Sequence, residues 1–268
     1  MNSFRLAAAA AVLASSAGAA FAEEDGGGWL SGSWSLTLGA SGYFAPEYEG
    51  DDKMVFRAVP LVSLGKTGTV TKFASRNDNI SLGLIDNGTV RAGVAGKIIF
   101  GRDADDSDDL AGLDPVRWGG EAGLFAEVYP LDWLRVRGEV RHGIRSHDGI
   151  VGDVAVDAFQ DVTPSIRVSG GPRLSFASSD YFDAYYGVSA AESAASGLGA
   201  YDPGSGMRAA GVGGAVTWQA TDKITASVFG EYARLLGPAE DSTLVKERGS
   251  VDQFTVGIST TYRFDFDL

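Results

Sequence analysis

The sequence predicts an all-β fold, an antiparallel transmembrane β-barrel of about 12 strands, within a range of about 10 to 14, behind an N-terminal signal peptide. The first observation is the stretch Asp252 to Phe264. Asp252, Phe254, Val256, Ile258, Thr260, Tyr262 and Phe264 fall on one side of a strand, and Gln253, Thr255, Gly257, Ser259, Thr261 and Arg263 on the other. Successive side chains of a strand point to opposite faces, so this one has a greasy face and a wet one. The second is an export signal at the start of the chain. The third is that the same alternation recurs along the chain, with links that sort by length to alternate ends.

Residues 1–22 read as the signal peptide. Arg5 precedes an apolar run from Leu6 to Leu13, and small residues lead to Ala20-Phe21-Ala22. That run is too short to span a bilayer as a helix. Residues 23–32 form an N-terminal periplasmic segment, and the barrel occupies 33–268. In its first strand, 33–44, Trp34, Leu36, Leu38, Ala40 and Phe44 share the even face. The strand at 55–64 is apolar on both faces and contains Pro60, which cannot donate to a ladder. Stretches 69–76 and 80–85 read either as two strands or as one kinked strand. Further strands fall at 89–101, 116–129, 133–144, 153–162, 166–177, 207–219 and 223–236, before the closing one. Through most of them the even face is apolar and is expected to meet lipid.

Tight links are expected at 65–68, 86–88, 130–132, 163–165 and 220–222, all at one end. Long links at 45–54, 102–115, 145–152, 178–206 and 237–251 lie at the other, with the short link 77–79 as the exception. Bacterial barrels sort their connections this way, with short turns facing the periplasm. A soluble two-sheet sandwich has no need of it. The hairpin at Pro130, read with a three-residue turn, pairs Tyr129 with Trp133, Glu127 with Arg135, Phe125 with Arg137 and Glu121 with Arg141.

Composition narrows the chemistry. There is no cysteine, so thiol catalysis, disulfides and cysteine metal sites are excluded, and histidine occurs only twice. A net charge of -13 disfavours nucleic acid as a partner. No cofactor is expected. By parity the lumen carries Arg91, Lys97, Arg117, Glu121, Glu127, Arg135, Arg137, Glu139, Arg141, Asp153, Asp157, Arg167, Arg173, Glu231 and Arg263. Such a set is either a constriction that selects anions or a paired network that fills a narrow lumen. Trp34, Trp118, Trp133, Trp218, Tyr262 and Phe264 read as interfacial aromatics. Asp103, Asp105, Asp106, Asp108 and Asp109 suit a hard cation but lack EF-hand spacing, so they read as a solvated loop and no metal ligand is assigned. The aromatic loop 178–206 is read as a plug or as a recognition surface. His142 and His147 are the only bases available to a lipid hydrolase, and the sequence assigns no catalytic residue.

Several motifs also carry a family likeness: Pro46-Glu47-Tyr48-Glu49-Gly50-Asp51, Gly138-Glu139-Val140-Arg141 leading to His147-Asp148-Gly149, Gly171-Pro172-Arg173-Leu174, Tyr185-Tyr186-Gly187-Val188-Ser189, Tyr232-Ala233-Arg234-Leu235-Leu236-Gly237 and Tyr262-Arg263-Phe264. In their order and spacing the chain resembles the MipA/OmpV outer-membrane proteins. The resemblance implies a non-enzymatic barrel in outer-membrane lipid that acts as a scaffold for a murein synthase and a lytic transglycosylase, or as a surface adhesin or antigen. A narrow anion-preferring channel is the alternative.

Overall fold

A computed structural model describes residues 32–66 and 72–267, together with the backbone of Ala11–Val12; the side chains of 62–66 lie outside the description. The expected signal peptide and the segment 23–32 therefore fall almost entirely outside the described residues.

Eleven antiparallel strands make one sheet: β1 Ser33–Pro46, β2 Met54–Lys66, β3 Ile80–Asp86, β4 Val90–Ile99, β5 Gly119–Leu131, β6 Leu134–Ile144, β7 Ile150–Thr163, β8 Ile166–Ala177, β9 Gly206–Gln219, β10 Ile224–Leu235 and β11 Asp252–Asp267. Each pairs with its sequence neighbour from β3 to β11, and β11 pairs with β1, which pairs with β2. The ladder is not continued between β2 and β3 among the described residues, and Ala11–Val12 runs parallel to β2, opposite Leu61 and Val62. Pro60 is thus tolerated on a strand that pairs with only one barrel strand.

The alternation is visible as burial. Along β6, Arg135, Arg137, Glu139, Arg141 and Gly143 are buried, while Val140, His142 and Ile144 are exposed. Leu124 and Ile258, both more than 60% exposed, stand on the outer wall with Val212 and Val228. A greasy outside and a charged inside are the reverse of a soluble protein's pattern and fit a lipid-facing wall.

The expected strand at 69–76 is corrected by the structure. Residues 69–71 lie outside the described residues, and 72–79 forms no strand. It runs inside the barrel instead. Lys72 lies 3.5 Å from Asp132 at the turn end, and Asn79 reaches Glu139 midway up β6 at 2.8 Å. The chain thus climbs through the lumen where a wall strand would have climbed, so β2 and β3 run in the same direction and the wall has an odd strand count. The anomalous short outer link at 77–79 disappears with it.

The β5–β6 register is also corrected. Glu127 pairs with Arg137 and Phe125 with Glu139, because an irregularity between Val128 and Leu131 shifts the pairing by two residues. A two-residue shift preserves the faces, so the inward set survives.

The loop end is closed by packed loops, joined by helices α1 Ser179–Tyr186, α2 Ala190–Ser196, α3 Pro238–Asp241 and α4 Thr243–Arg248. Tyr181, Phe182 and Tyr186 of α1 pack with Val151, Ala177, Leu235 and Val245. Tyr48, Leu110, Val188, Leu198 and Leu244 form a second core beside it. The long 178–206 connection is helical and holds no full strand, as the sorting of links requires.

Candidate functional site: a filled lumen under a folded cap

Arg135, fully buried, is the hub of the charges inside the barrel. Its guanidinium donates to both oxygens of Asp78 at 2.6 and 2.8 Å and to Asp157 at 2.6 Å, with Glu127 at 3.4 Å. Arg137 bridges Glu127 at 2.9 Å and Glu139 at 2.6 Å. Arg141 extends the chain to Glu121 at 2.8 Å and Asp153 at 2.5 Å, and also meets Glu139. Arg91 joins it through Glu127 at 3.1 Å and Arg173 through Asp157. Near the cap, Arg208 spans Asp153 at 3.5 Å and Glu49 at 2.9 Å. The network therefore runs from β4 to β9 as alternating charge, which is how ions are kept in a site poor in water.

Segment 72–79 adds the counter-charge and the packing. Phe73 stacks on Phe159 with ring centroids 4.6 Å apart and meets Tyr129, making a small apolar core above the turns. Arg76 lies over the Phe229 ring at 3.9 Å, and Asn77 bonds Glu231 on the facing wall. The segment thus touches β6 on one side and β10 on the other. What remains is a cavity of about 610 Å³, lined by Tyr43, Arg76, Lys97, Arg141, Arg173, Glu231 and Thr255 among others.

Most charges expected in the lumen are found there, with two departures. Arg117 precedes β5 and is exposed beside the outer loop, since the strand starts three residues later than expected. Arg263 is exposed at the turn end beside Asp265, whereas Arg167, paired with Asp161 at 2.7 Å, lines the cavity at its turn-end rim. Arg208 escapes parity because of the bulge between Met207 and Ala209, which re-aims a side chain. Asp78 escapes it because it belongs to no wall strand.

Of the aromatics, Trp133, Trp218, Tyr262 and Phe264 are exposed near the turn end and Trp118 near the loop end, where Arg145 lies over its ring at 4.0 Å. Trp34 departs from that pattern and is 5% exposed. His142 is exposed, whereas His147 is buried, with Nε2 3.3 Å from Glu121 and Nδ1 accepting from the Gly149 N–H at 3.1 Å. Both ring nitrogens are engaged, so His147 in this geometry orients the loop and has no atom free to take a proton from Ser146.

In the cap, Arg102 donates to the Tyr185 carbonyl at 2.8 Å, and Arg248 to that of Asp109 at 2.7 Å. Burial first, and Glu121 next, push the Tyr185 hydroxyl up to about 12. Asp103 and Asp106 largely satisfy their own turn. Asp109 turns to the β1–β2 loop, where Lys53 meets it at 2.5 Å.

A wall with an apolar exterior, a charged interior and connections sorted by length defines an outer-membrane β-barrel protein. The chain belongs to the family of MltA-interacting protein MipA, whose sequence profile matches residues 38–264. No curated protein matches the chain. Among solved structures it is similar to a bacterial polysaccharide outer membrane secretin, at 10% identity over 86% of this chain and 98% of that one, with a TM-score of 0.43. It is also similar to Neisserial surface protein A, at 10% identity over 87% and 99% with a TM-score of 0.27, and to OprG from Pseudomonas aeruginosa, at 10% over 87% and 97% with 0.29.

Proposed function

We propose that this barrel is a closed scaffold rather than an open pore, and that its partners are murein enzymes: a lytic transglycosylase, as the family's name records, and with it a murein synthase. The observation that carries this reading is segment 72–79, which fills the lumen and is fixed there by the two-oxygen grip of Arg135 on Asp78. A conduit would need that path free. The cap of helices over the loop end supports the same reading.

The turn end, which faces the periplasm in barrels of this kind, offers the docking surface. An open pocket of about 390 Å³ lies there, lined by Lys72, Asp132, Trp133, Phe159, Gln160, Asp161 and Arg167. An aromatic and an arginine at the centre of a patch with both charge signs are the groups that anchor protein partners.

The test has two arms. The folded mature protein in a planar bilayer is expected to be silent, and immobilised protein is expected to capture the transglycosylase and to lose it on Trp133→Ala with Asp132→Lys. Discrete openings whose ion preference changes in Arg135→Glu with Arg137→Glu would replace this reading with that of an anion-preferring channel, which the 610 Å³ cavity and its arginines favour. Capture unchanged by the turn-end variants would remove the docking surface.

A further inference from the structure

We propose that Asp51, Asp52 and Asp109 bind one divalent cation of the hard, oxygen-preferring class typified by Ca2+, and that the ion ties the β1–β2 loop to the β4–β5 loop across the barrel mouth. One ligand oxygen from each of the three carboxylates lies within 4.8 Å of the others. Two oxygens sharing a calcium ion at about 2.4 Å are at most about 4.8 Å apart, so every pair of the three lies within the span of one ion.

A second observation is independent of the acidic cluster. The Tyr48 hydroxyl is buried, has no hydrogen-bond partner among the described residues, and feels the field of all three carboxylates. Asp51 itself is 1% exposed. Its Oδ1 accepts from the Lys53 N–H at 2.8 Å, but its Oδ2 has no hydrogen-bond partner among the described residues. Buried polar atoms are almost always paired, and two bare oxygens beside converging negative charges mark a place for a cation.

The only ammonium among them is already committed. Lys53 Nζ sits on Asp109 Oδ2 at 2.5 Å and leaves Asp51 and Asp52 uncompensated. The carboxylates outnumber the ammonium, and the nearby guanidiniums of Arg102 and Arg248 are engaged on backbone carbonyls. Asp52 is exposed, so water can enter to complete the six to eight oxygens a calcium ion takes. The ligands stand about 58 residues apart in the chain, which makes the site a clamp rather than a loop of its own. Asp51 also forms a β-bridge with Gly249, so the clamp reaches the loop that carries α4.

The experiment is calorimetric titration of the full-length folded barrel in detergent with Ca2+, after chelator treatment, for the parent, Asp51→Asn, Asp109→Asn and Lys53→Met. The expected result is a saturable isotherm of one ion per chain, weakened about tenfold or more in either aspartate variant and unchanged or tightened in Lys53→Met. Tyrosine-sensitised Tb3+ emission that Ca2+ displaces, and that falls in Tyr48→Phe, gives a second readout on variants whose folding is checked by heat-shifted gel mobility. A folded parent that takes up no Ca2+, or binding equally tight in Asp51→Asn, overturns the proposal and leaves Lys53 as the cluster's cation.

Discussion

Arg135 meets three carboxylates from three stretches of chain: Asp78 from the lumen segment, Glu127 from β5 and Asp157 from β7. A buried pair contributes little net stability relative to a well-packed apolar pair, but removing one partner strands the other charge away from water. Arg135→Ala is therefore expected to lower the unfolding free energy by about 3–5 kcal/mol, read by urea unfolding of the barrel in detergent micelles; Arg135→Lys should recover part of it, having the charge without the fork. Glu127, Arg135 and Asp157 were each legible in the sequence, because a charge that breaks an alternating strand on its wet face has one direction to point. Their partner Asp78 was not. Alternation says nothing about a segment outside the wall, and Arg208 shows the other limit, since a bulge turns its own extra residue to the face that parity does not predict.

At the scale of elements, segment 72–79 departs furthest from the sequence pattern. Short stretches of mixed polarity fit a strand and an extended lumen segment equally well, and the even strand count of bacterial barrels favours the wrong choice. Phe73 and Asp78 hold it by different forces: a stacked aromatic core near the turns and an ion pair with the buried Arg135. Replacing both with alanine is expected to free the segment and give conductance steps in a bilayer where the parent gives none. If the double variant stays silent while its 72–79 amides exchange rapidly with solvent, the rest of the network is what closes the lumen.

Helix α2 supplies the pH-dependent element. Ser189 and Glu192 form a capping box, and Glu192 also accepts from the Asp114 N–H at 2.9 Å. Burial by itself would raise Glu192, but these hydrogen bonds hold its carboxyl below the ordinary value of 4.5. A depressed folded value means the contribution is present above pH 4.5 and is lost as the pH falls through the lowered value. Amide exchange across α2 should therefore accelerate on acidification below pH 4.5, and Glu192→Gln should remove most of that dependence. Ser189→Ala should cost about 0.5–2 kcal/mol at any pH.

For the molecule as a whole, the claim that matters is that one face of every strand meets lipid, and β11 tests it with neighbours. Ile258 stands in the middle of the strand on the outer wall, 63% exposed. Thr255 lies on the opposite face, lines the cavity and pairs across the sheet with Glu231. Arginine at 258 would carry its charge into hydrocarbon at mid-depth, at a cost of about 2–4 kcal/mol. Arginine at 255 would enter a polar cavity opposite a carboxylate, where its charge is matched. Folding equilibria of Ile258→Arg and Thr255→Arg into lipid vesicles should differ by that amount, with the lumen variant close to the parent. In detergent micelles thin enough to let the arginine reach water the gap should narrow, because the cost belongs to the lipid and not to the packing of the barrel. Equal stability in both settings would mean that the outer wall is covered by protein rather than by membrane, and the greasy face that made the fold legible in the sequence would then be a partner's binding surface.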